Sequence, residues 1–349
     1  LGQFANPFLG ESFGGQYEAA DRNYESWFRR EPTPVSAKTT SFFNEPKFQD
    51  AWLKEYGLTF TAFREIAAQL EDTAVERGAP VVTCTIEEIA QARKDDGITV
   101  ADVRAFLDSF GLPRRPTWLA GPDIPAKFVN PWRFERPLSL SLRPLVVLDA
   151  HGTQFTYGIA MAREAFGYVL DSIKSASFDK DVFKSKEMRA WLGGRVDELG
   201  REFTEMVAEQ LRALGWQAKT EVAMTQLGAL KKDGMGDVDV LAWKDGRVLI
   251  VECKRLKQSR TVAEIALACD RFKGNVGDKL HRHLRRFAWL QANQARLANF
   301  IGHRTSAFKL QGPLVVSRAV PFKYLQGLPI AATEILQNTV LQEYIASSS

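Results

Sequence analysis

Three acids and a lysine within a short span carry the clearest chemical signal in this chain. They lie between Gly236 and Lys254, where Asp237, Asp239, Glu252 and Lys254 bracket an apolar interior. Asp237 to Trp243 alternates polar and apolar residues, and Arg247 to Val251 adds an aliphatic, β-branched run. Asp245-Gly246 between them suits a two-residue hairpin loop, because both central positions of a type I′ turn take positive φ. With that loop Lys244 faces Arg247, Asp239 falls opposite Glu252, and Asp237 falls opposite Lys254. Side chains alternate along a strand, so the three acids and the lysine share one face, while Val238, Val240, Val251 and Cys253 share the other. Opposed Cβ atoms lie about 4.5–5.5 Å apart. Two carboxylates that close repel, and a hard divalent cation removes the conflict. Mg²⁺ is commonly held by one or two carboxylates plus waters and phosphate oxygens. A lysine one strand-step beyond could orient or deprotonate a water and stabilise developing negative charge. The plainer alternative is a cross-strand salt bridge on a solvated face. Against it, Leu249-Ile250-Val251 reads as a buried central strand, where unpaired acids are costly.

The neighbouring elements must position this hairpin. Val196, Leu199, Phe203, Val207, Leu211 and Leu214 recur at spacings of three and four, which predicts an amphipathic helix before it. Glu198, Glu202, Glu205 and Glu209 form a second stripe on that helix, about 100° around. Downstream, a long helix is expected from about 277 to 301. Between Glu252 and Lys309 there are thirteen Lys or Arg against four acids, the footprint expected for a polyanion partner. On the helix, Lys279, Arg282, Arg286 and either His283 or Arg285 could follow a phosphate backbone; a solubilising face is the bland alternative. Arg255 and Lys257, just beyond the hairpin, join the candidate nucleic-acid contacts. His281 and His283 lie about 200° apart on a helix, so they do not read as a metal pair. Residues 313 to 321 read as another strand and 331 to 344 as a terminal helix.

Asp239 followed by Glu252-Cys253-Lys254 at the end of an apolar strand resembles the PD-(D/E)xK nuclease superfamily, with the restriction-endonuclease-like fold. The likeness is strongest to Mrr-type restriction enzymes and Holliday-junction resolvases, which show a Gly-acid-x-Asp strand followed by a Val-Glu-x-Lys strand. Their preceding helix ends in Leu-x-x-x-Gly-aromatic, as Leu211 to Trp216 does here. The resemblance covers about residues 186 to 325. It implies an α/β fold with a mixed central sheet flanked by helices. It also implies Mg²⁺ or Mn²⁺ on Asp239, Glu252 and the Cys253 carbonyl, and Lys254 assisting the attacking water. Asp237 sits where some relatives carry a second acid. The helix glutamate of the family falls on Thr204 here, a departure for which Glu205 or Glu202 could substitute. The implied activity is phosphodiester hydrolysis, with double-stranded DNA as the partner and bacterial restriction or phage defence as the setting. The rival is an inactive nuclease fold serving as a DNA-binding, scaffold or regulatory subunit.

At 349 residues the chain has room for two or three domains. Three cysteines without paired spacing (Cys84, Cys253, Cys269) suggest a reducing, cytoplasmic setting and no zinc site. No run approaches the roughly 18 apolar residues of a membrane span, and no signal peptide is visible. A first residue of Leu1 in place of Met reads as a trimmed chain or a fragment.

Four regions are expected: an irregular aromatic-rich arm (1–50), a helical domain with helix-turn-helix character (51–115), a connector with a hairpin and helix (116–180), and the nuclease-like domain (181–349). In the second, Thr85-x-x-Glu88 is a capping box and Thr99 opens a helix to Phe110, stopped by Gly111 and Pro113. That helix carries few cations beyond Arg104, so groove reading is doubtful and a scaffold or protein-interaction role is preferred. Five prolines between 113 and 135 read as an extended stretch, and Asp149 to Gly152 is a turn with His151 at the surface. A homodimer or a partner protein held through the N-terminal half is the expectation.

Overall fold

The computed structural model describes residues 42–347 apart from 116, 118, 120, 121, 123, 133, 134, 258, 260 and 304–307. The arm expected over 1–50 thus lies largely outside the described residues. Its last part is ordered: a 3₁₀ turn, Phe42–Asn44, leads into helix α1 (Pro46–Tyr56). The chain divides into two units, residues 32–197 and 198–349.

In the first unit, helix α2 (Phe60–Glu76) precedes strand β1 (Val81–Thr85), helix α3 (Ile86–Ala92) and helix α4 (Val100–Phe110). Thr85 with Glu88 and Thr99 with Asp102 form capping boxes that start α3 and α4. Strand β2 (Gly111–Leu112), a short helix α5 (Ala126–Val129), strands β3 (Leu145–Val147) and β4 (Gln154–Gly158) and helix α6 (Ile159–Lys174) follow. The sheet order is β1-β4-β3-β2. Because β1 pairs antiparallel with β4 along its whole length, the segments 51–115 and 116–180 build one sheet and not two domains. The α3–α4 pair is therefore part of an α/β unit, and Arg104 on α4 is engaged by the carbonyls of His151 and Gly152 at 2.9 and 2.6 Å. Aromatic rings fill the core: Phe63 lies 5.0–5.6 Å from Trp52, Phe106, Phe110 and Phe166.

The division between units falls inside helix α7 (Lys186–Ala213). Beyond it come strands β5 (Gln217–Ala223), β6 (Asp237–Lys244) and β7 (Arg247–Lys254), helices α8 (Val262–Asp270), α9 (Lys279–Ala292) and α10 (Gln294–Ile301), strands β8 (Lys309–Gln311), β9 (Leu314–Val316) and β10 (Ile335–Gln337), and helix α11 (Leu341–Ser347). The sheet runs β10-β9-β7-β6-β5, with β8 also on β7. β5, β6 and β7 are antiparallel, and β7, β9 and β10 are parallel. Apolar layers cover both faces. Val240, Leu249 and Val251 meet Phe203, Val207 and Leu211 of α7; Leu241, Val248 and Ile250 meet Leu290 of α9 and Leu297 of α10. Burial on both faces explains the nearly unbroken apolar run of β7.

Two expectations fail here. The long basic helix breaks at Asn293, whose φ of −122° leaves the helical range and separates α9 from α10. The predicted terminal helix over 331–344 instead contributes β10, because Ile335 and Leu336 are buried beside β9 and complete the parallel edge. A short apolar run does not by itself distinguish strand from helix.

The hairpin turn has φ of +46° at Asp245 and +75° at Gly246, and Lys244 pairs with Arg247. At positive φ a Cβ costs roughly 1–2 kcal/mol. Gly246→Ala should lower the unfolding free energy by about that amount, read from urea denaturation. In the first unit, the Asp149 carboxylate accepts from the Gln154 N–H and from the Thr153 hydroxyl and N–H. These bonds, the Gln154 N–H foremost, hold its pKa down to about 2 from 3.8. A depressed folded-state pKa contributes stability that is complete above 3.8 and lost as pH falls through about 2. The stability gap between wild type and Asp149→Asn should accordingly be largest at neutral pH and close across that acid window, as measured by urea titration at several pH values.

Candidate active site

The site forms where β6 and β7 part. Their ladder runs from Lys244↔Arg247 to Val240↔Val251 and stops. Beyond it β7 pairs with β9, Glu252 opposite Leu314 and Lys254 opposite Val316. On the other side of β6, Glu221 stands at φ +51° without a partner between the pairs Thr220↔Val240 and Val222↔Val238. The pairing is interrupted there, opposite Asp239, and resumes in the same register. Two positions depart from the strict alternation at that point. Val238 packs with Leu241 and Val222 instead of with Val240, and Asp237 is exposed and pairs with Ala223, not with Lys254. Where the ladder ends, the Asp239 carboxylate replaces it: its Oδ2 accepts from the Cys253 backbone N–H at 2.8 Å. A buried N–H deprived of its strand partner is satisfied by a side chain.

Three oxygens converge from this point. The Lys254 ammonium lies 2.6 Å from Glu252 Oε1, 3.0 Å from the Cys253 carbonyl and 3.2 Å from Asp239 Oδ2. Burial pulls the Lys254 pKa down, but Glu252 and then Asp239 outweigh it, and the net shift is upward. Lys254 here donates to all three oxygens. The Cys253 side chain points into the α7 layer, where burial pushes its thiol well above the ordinary range. It contributes a carbonyl to the site and no thiolate.

Glu252 is only 4% exposed. A buried carboxylate needs a partner, and α9 supplies one: Arg286, also 4% exposed, donates from Nη2 to Glu252 Oε2. His283, 1% exposed, places Nδ1 3.8 Å from the same oxygen and bonds through Nε2 to the Gly312 carbonyl at 2.9 Å. Burial lowers the His283 pKa against the pull of Glu252, so the ring is neutral. A carbonyl only accepts, so Nε2 carries the proton. Gly312 is required by close approach, since a Cβ there would stand 2.7 Å from the Phe287 ring.

The structure brings together Asp239, Glu252, Lys254 and the Cys253 carbonyl, and leaves other candidates outside. Glu205 is half-exposed and bonded to Arg212 and Thr220; Arg212, before Thr220, lowers its pKa. Glu202 is exposed, and Thr204 is buried. Among the described residues no group of three or more His, Cys, Asp or Glu side chains is arranged to hold a metal ion. The hard donors are two carboxylates and one carbonyl, a set that suits Mg²⁺ or Mn²⁺ with water and phosphate oxygens completing the shell. Of the expected phosphate contacts, Lys279, Arg282 and Arg285 are exposed on α9, with Arg285 donating to the Asp233 carbonyl at 3.0 Å. Desolvation of its ammonium, then repulsion from Lys254 and Arg271, lowers the Lys279 pKa. Arg255 and Lys257 are half-buried after β7. Arg286 is not a surface contact, because it is committed to Glu252. The place of His283 and Arg286 beside the acid was missed, although their spacing from the buried Leu280 and Leu290 marks one inward stripe of α9.

These features define an α/β protein with a buried acid–lysine–arginine cluster at the end of the central hairpin of its second unit. The chain belongs to a family of anti-phage proteins: the model described as "Anti-phage protein Upx-like" matches residues 2–340. No curated protein and no solved structure matches it. Among the described residues no helix is long and apolar enough to cross a membrane.

Arg286→Met should destabilise the unit by about 3–5 kcal/mol, because it strands a buried charge. Arg282→Met on the exposed face of the same helix should stay within about 0.5 kcal/mol of wild type. Chemical denaturation of the two variants side by side checks the contrast.

Proposed function

We propose that this phage-defence protein is a Mg²⁺- or Mn²⁺-dependent nuclease that hydrolyses phosphodiester bonds in double-stranded DNA. The supporting observation is the convergence of Glu252 Oε1, the Cys253 carbonyl and Asp239 Oδ2 on one point, the position held by the Lys254 ammonium. Asp239, Glu252 and the Cys253 carbonyl would hold the ion. A bound divalent ion would supply Lewis acidity to a phosphoryl oxygen and lower the pKa of a water. Lys254, as a protonated donor, would move aside and hydrogen-bond to the scissile phosphate, stabilising the charge that develops as water adds and the P–O bond breaks. Arg286 and His283 act on the reaction only through Glu252, fixing its carboxylate. Lys279, Arg282 and Arg285 on α9, with Arg255 and Lys257, offer positive charge to the DNA backbone. The resemblance to PD-(D/E)xK nucleases supports the same reading, as does the α-β-β-β order ahead of the parallel edge.

The competing reading is an inert nuclease fold used as a scaffold or DNA-binding subunit. Thr204 in place of the family's helix glutamate and the commitment of Glu252 to Arg286 favour it. Incubating supercoiled plasmid with the full chain and Mg²⁺ or Mn²⁺ separates the two. The nuclease reading expects nicking that falls about 10²–10³-fold in Lys254→Ala, with DNA binding retained. It also expects Mn²⁺ binding by calorimetry that Asp239→Asn abolishes. Equal cutting by wild type and Lys254→Ala, or no cutting at all, overturns it.

A further inference from the structure

The first unit holds a second concentration of charge, far along the sequence from the acid–lysine cluster. A cavity of about 910 Å³ is lined by Arg104, Arg114, Arg115, Arg143 and Lys184. Among the described residues none of these five makes a salt bridge. Two carboxylates also line it, Asp108 and Asp149. The Asp149 carboxylate is engaged by Thr153 and Gln154 within its own turn, which leaves Asp108 against five cations.

Two of the arginines are fixed in advance. Arg104 Nη1 donates to the carbonyls of His151 and Gly152, and Arg143 Nη1 to those of Asp108 and Gly111 at 2.8 Å each. A carbonyl orients a guanidinium without cancelling its charge. Arg115 differs: its Nη1 is buried and has no hydrogen-bond partner. Buried donors are normally satisfied, and an unpaired one costs free energy. Arg115 also lines the cavity, and its planar guanidinium fork suits phosphate. The rest of the lining includes apolar side chains, Leu107, Pro113, Leu138 and Val147. The volume lies within the roughly 300–1,000 Å³ of small-molecule sites. Duplex DNA spreads its charge along a line, about one per 1.7 Å of axis, whereas here five cations gather around one cavity that apolar side chains also line.

We propose that this cavity binds a nucleoside polyphosphate, with the phosphates on the arginine cluster and the base against Leu138 and Val147. The proposal is independent of the nuclease reading, since every residue it uses lies in the other unit.

Calorimetric titration of the full chain with ATP, with inorganic pyrophosphate and with a short DNA duplex tests it. ATP should bind one per chain, more tightly than pyrophosphate, and should not be displaced by the duplex. Arg115→Gln and Arg114→Gln should each weaken ATP about tenfold or more. Arg163→Gln, on the exposed face of α6, should leave it unchanged. Because Arg115 Nη1 and the Arg114 side chain make no hydrogen bond that the substitutions remove, melting temperatures should match wild type. Glu252→Gln should retain ATP binding while losing any plasmid cleavage, so failure of one reading is distinguishable from failure of the other. Absence of ATP binding, wild-type affinity in both arginine variants, pyrophosphate binding as tightly as ATP, or binding of the duplex alone would each overturn the proposal.

Discussion

The second unit depends on one buried negative charge. Glu252 sits in the central strand at 4% exposure, with apolar neighbours before it and helix α9 above it. A carboxylate there is tolerable only with cations in contact, and Lys254 and Arg286 approach its two oxygens from opposite sides. This requirement reaches outward. Arg286 must be inward on α9, so α9 must lie against β7. His283, one turn earlier, is then buried and ties the helix to the Gly312 carbonyl between β8 and β9. Gly312 must lack a side chain to admit Phe287.

The divergence of β6 from β7 complements this arrangement. Continuous pairing would place a main-chain carbonyl opposite the Cys253 N–H and direct Asp239 elsewhere. The interrupted pairing at Glu221 and the handover of β7 from β6 to β9 leave that N–H to the Asp239 carboxylate. The acid is thus held by the backbone it serves, and both carboxylates keep a fixed relation to the Cys253 carbonyl.

Much of the hairpin was legible because its determinants are local. Asp245-Gly246 specifies the turn, alternation specifies the faces, and together they bring Asp239, Glu252 and Lys254 into proximity. The capping boxes at Thr85 and Thr99 were legible for the same reason. What escaped depends on distant partners. Arg286 and His283 look like members of a solvated basic stripe until the buried Glu252 is known to need them; only the spacing with Leu280 and Leu290 hints at their inward course. Ile335 and Leu336 became a strand through pairing with β9, and β1 with β4 joined two stretches that composition had separated. Asp237 shares a chemical type with Asp239 but is exposed, since beyond the end of the β6–β7 ladder it pairs only with β5.

The ammonium among the three oxygens, together with Arg286 on Glu252, also makes the cluster self-neutralised. The repulsion between the acids is relieved by cations that the chain itself supplies. Any ion attracted to those oxygens must enter by exchange, displacing a tethered competitor whose effective concentration is permanently high. Occupancy is then a contest between two cations, favouring small, doubly charged ions over monovalent ones that gain too little to evict the lysine.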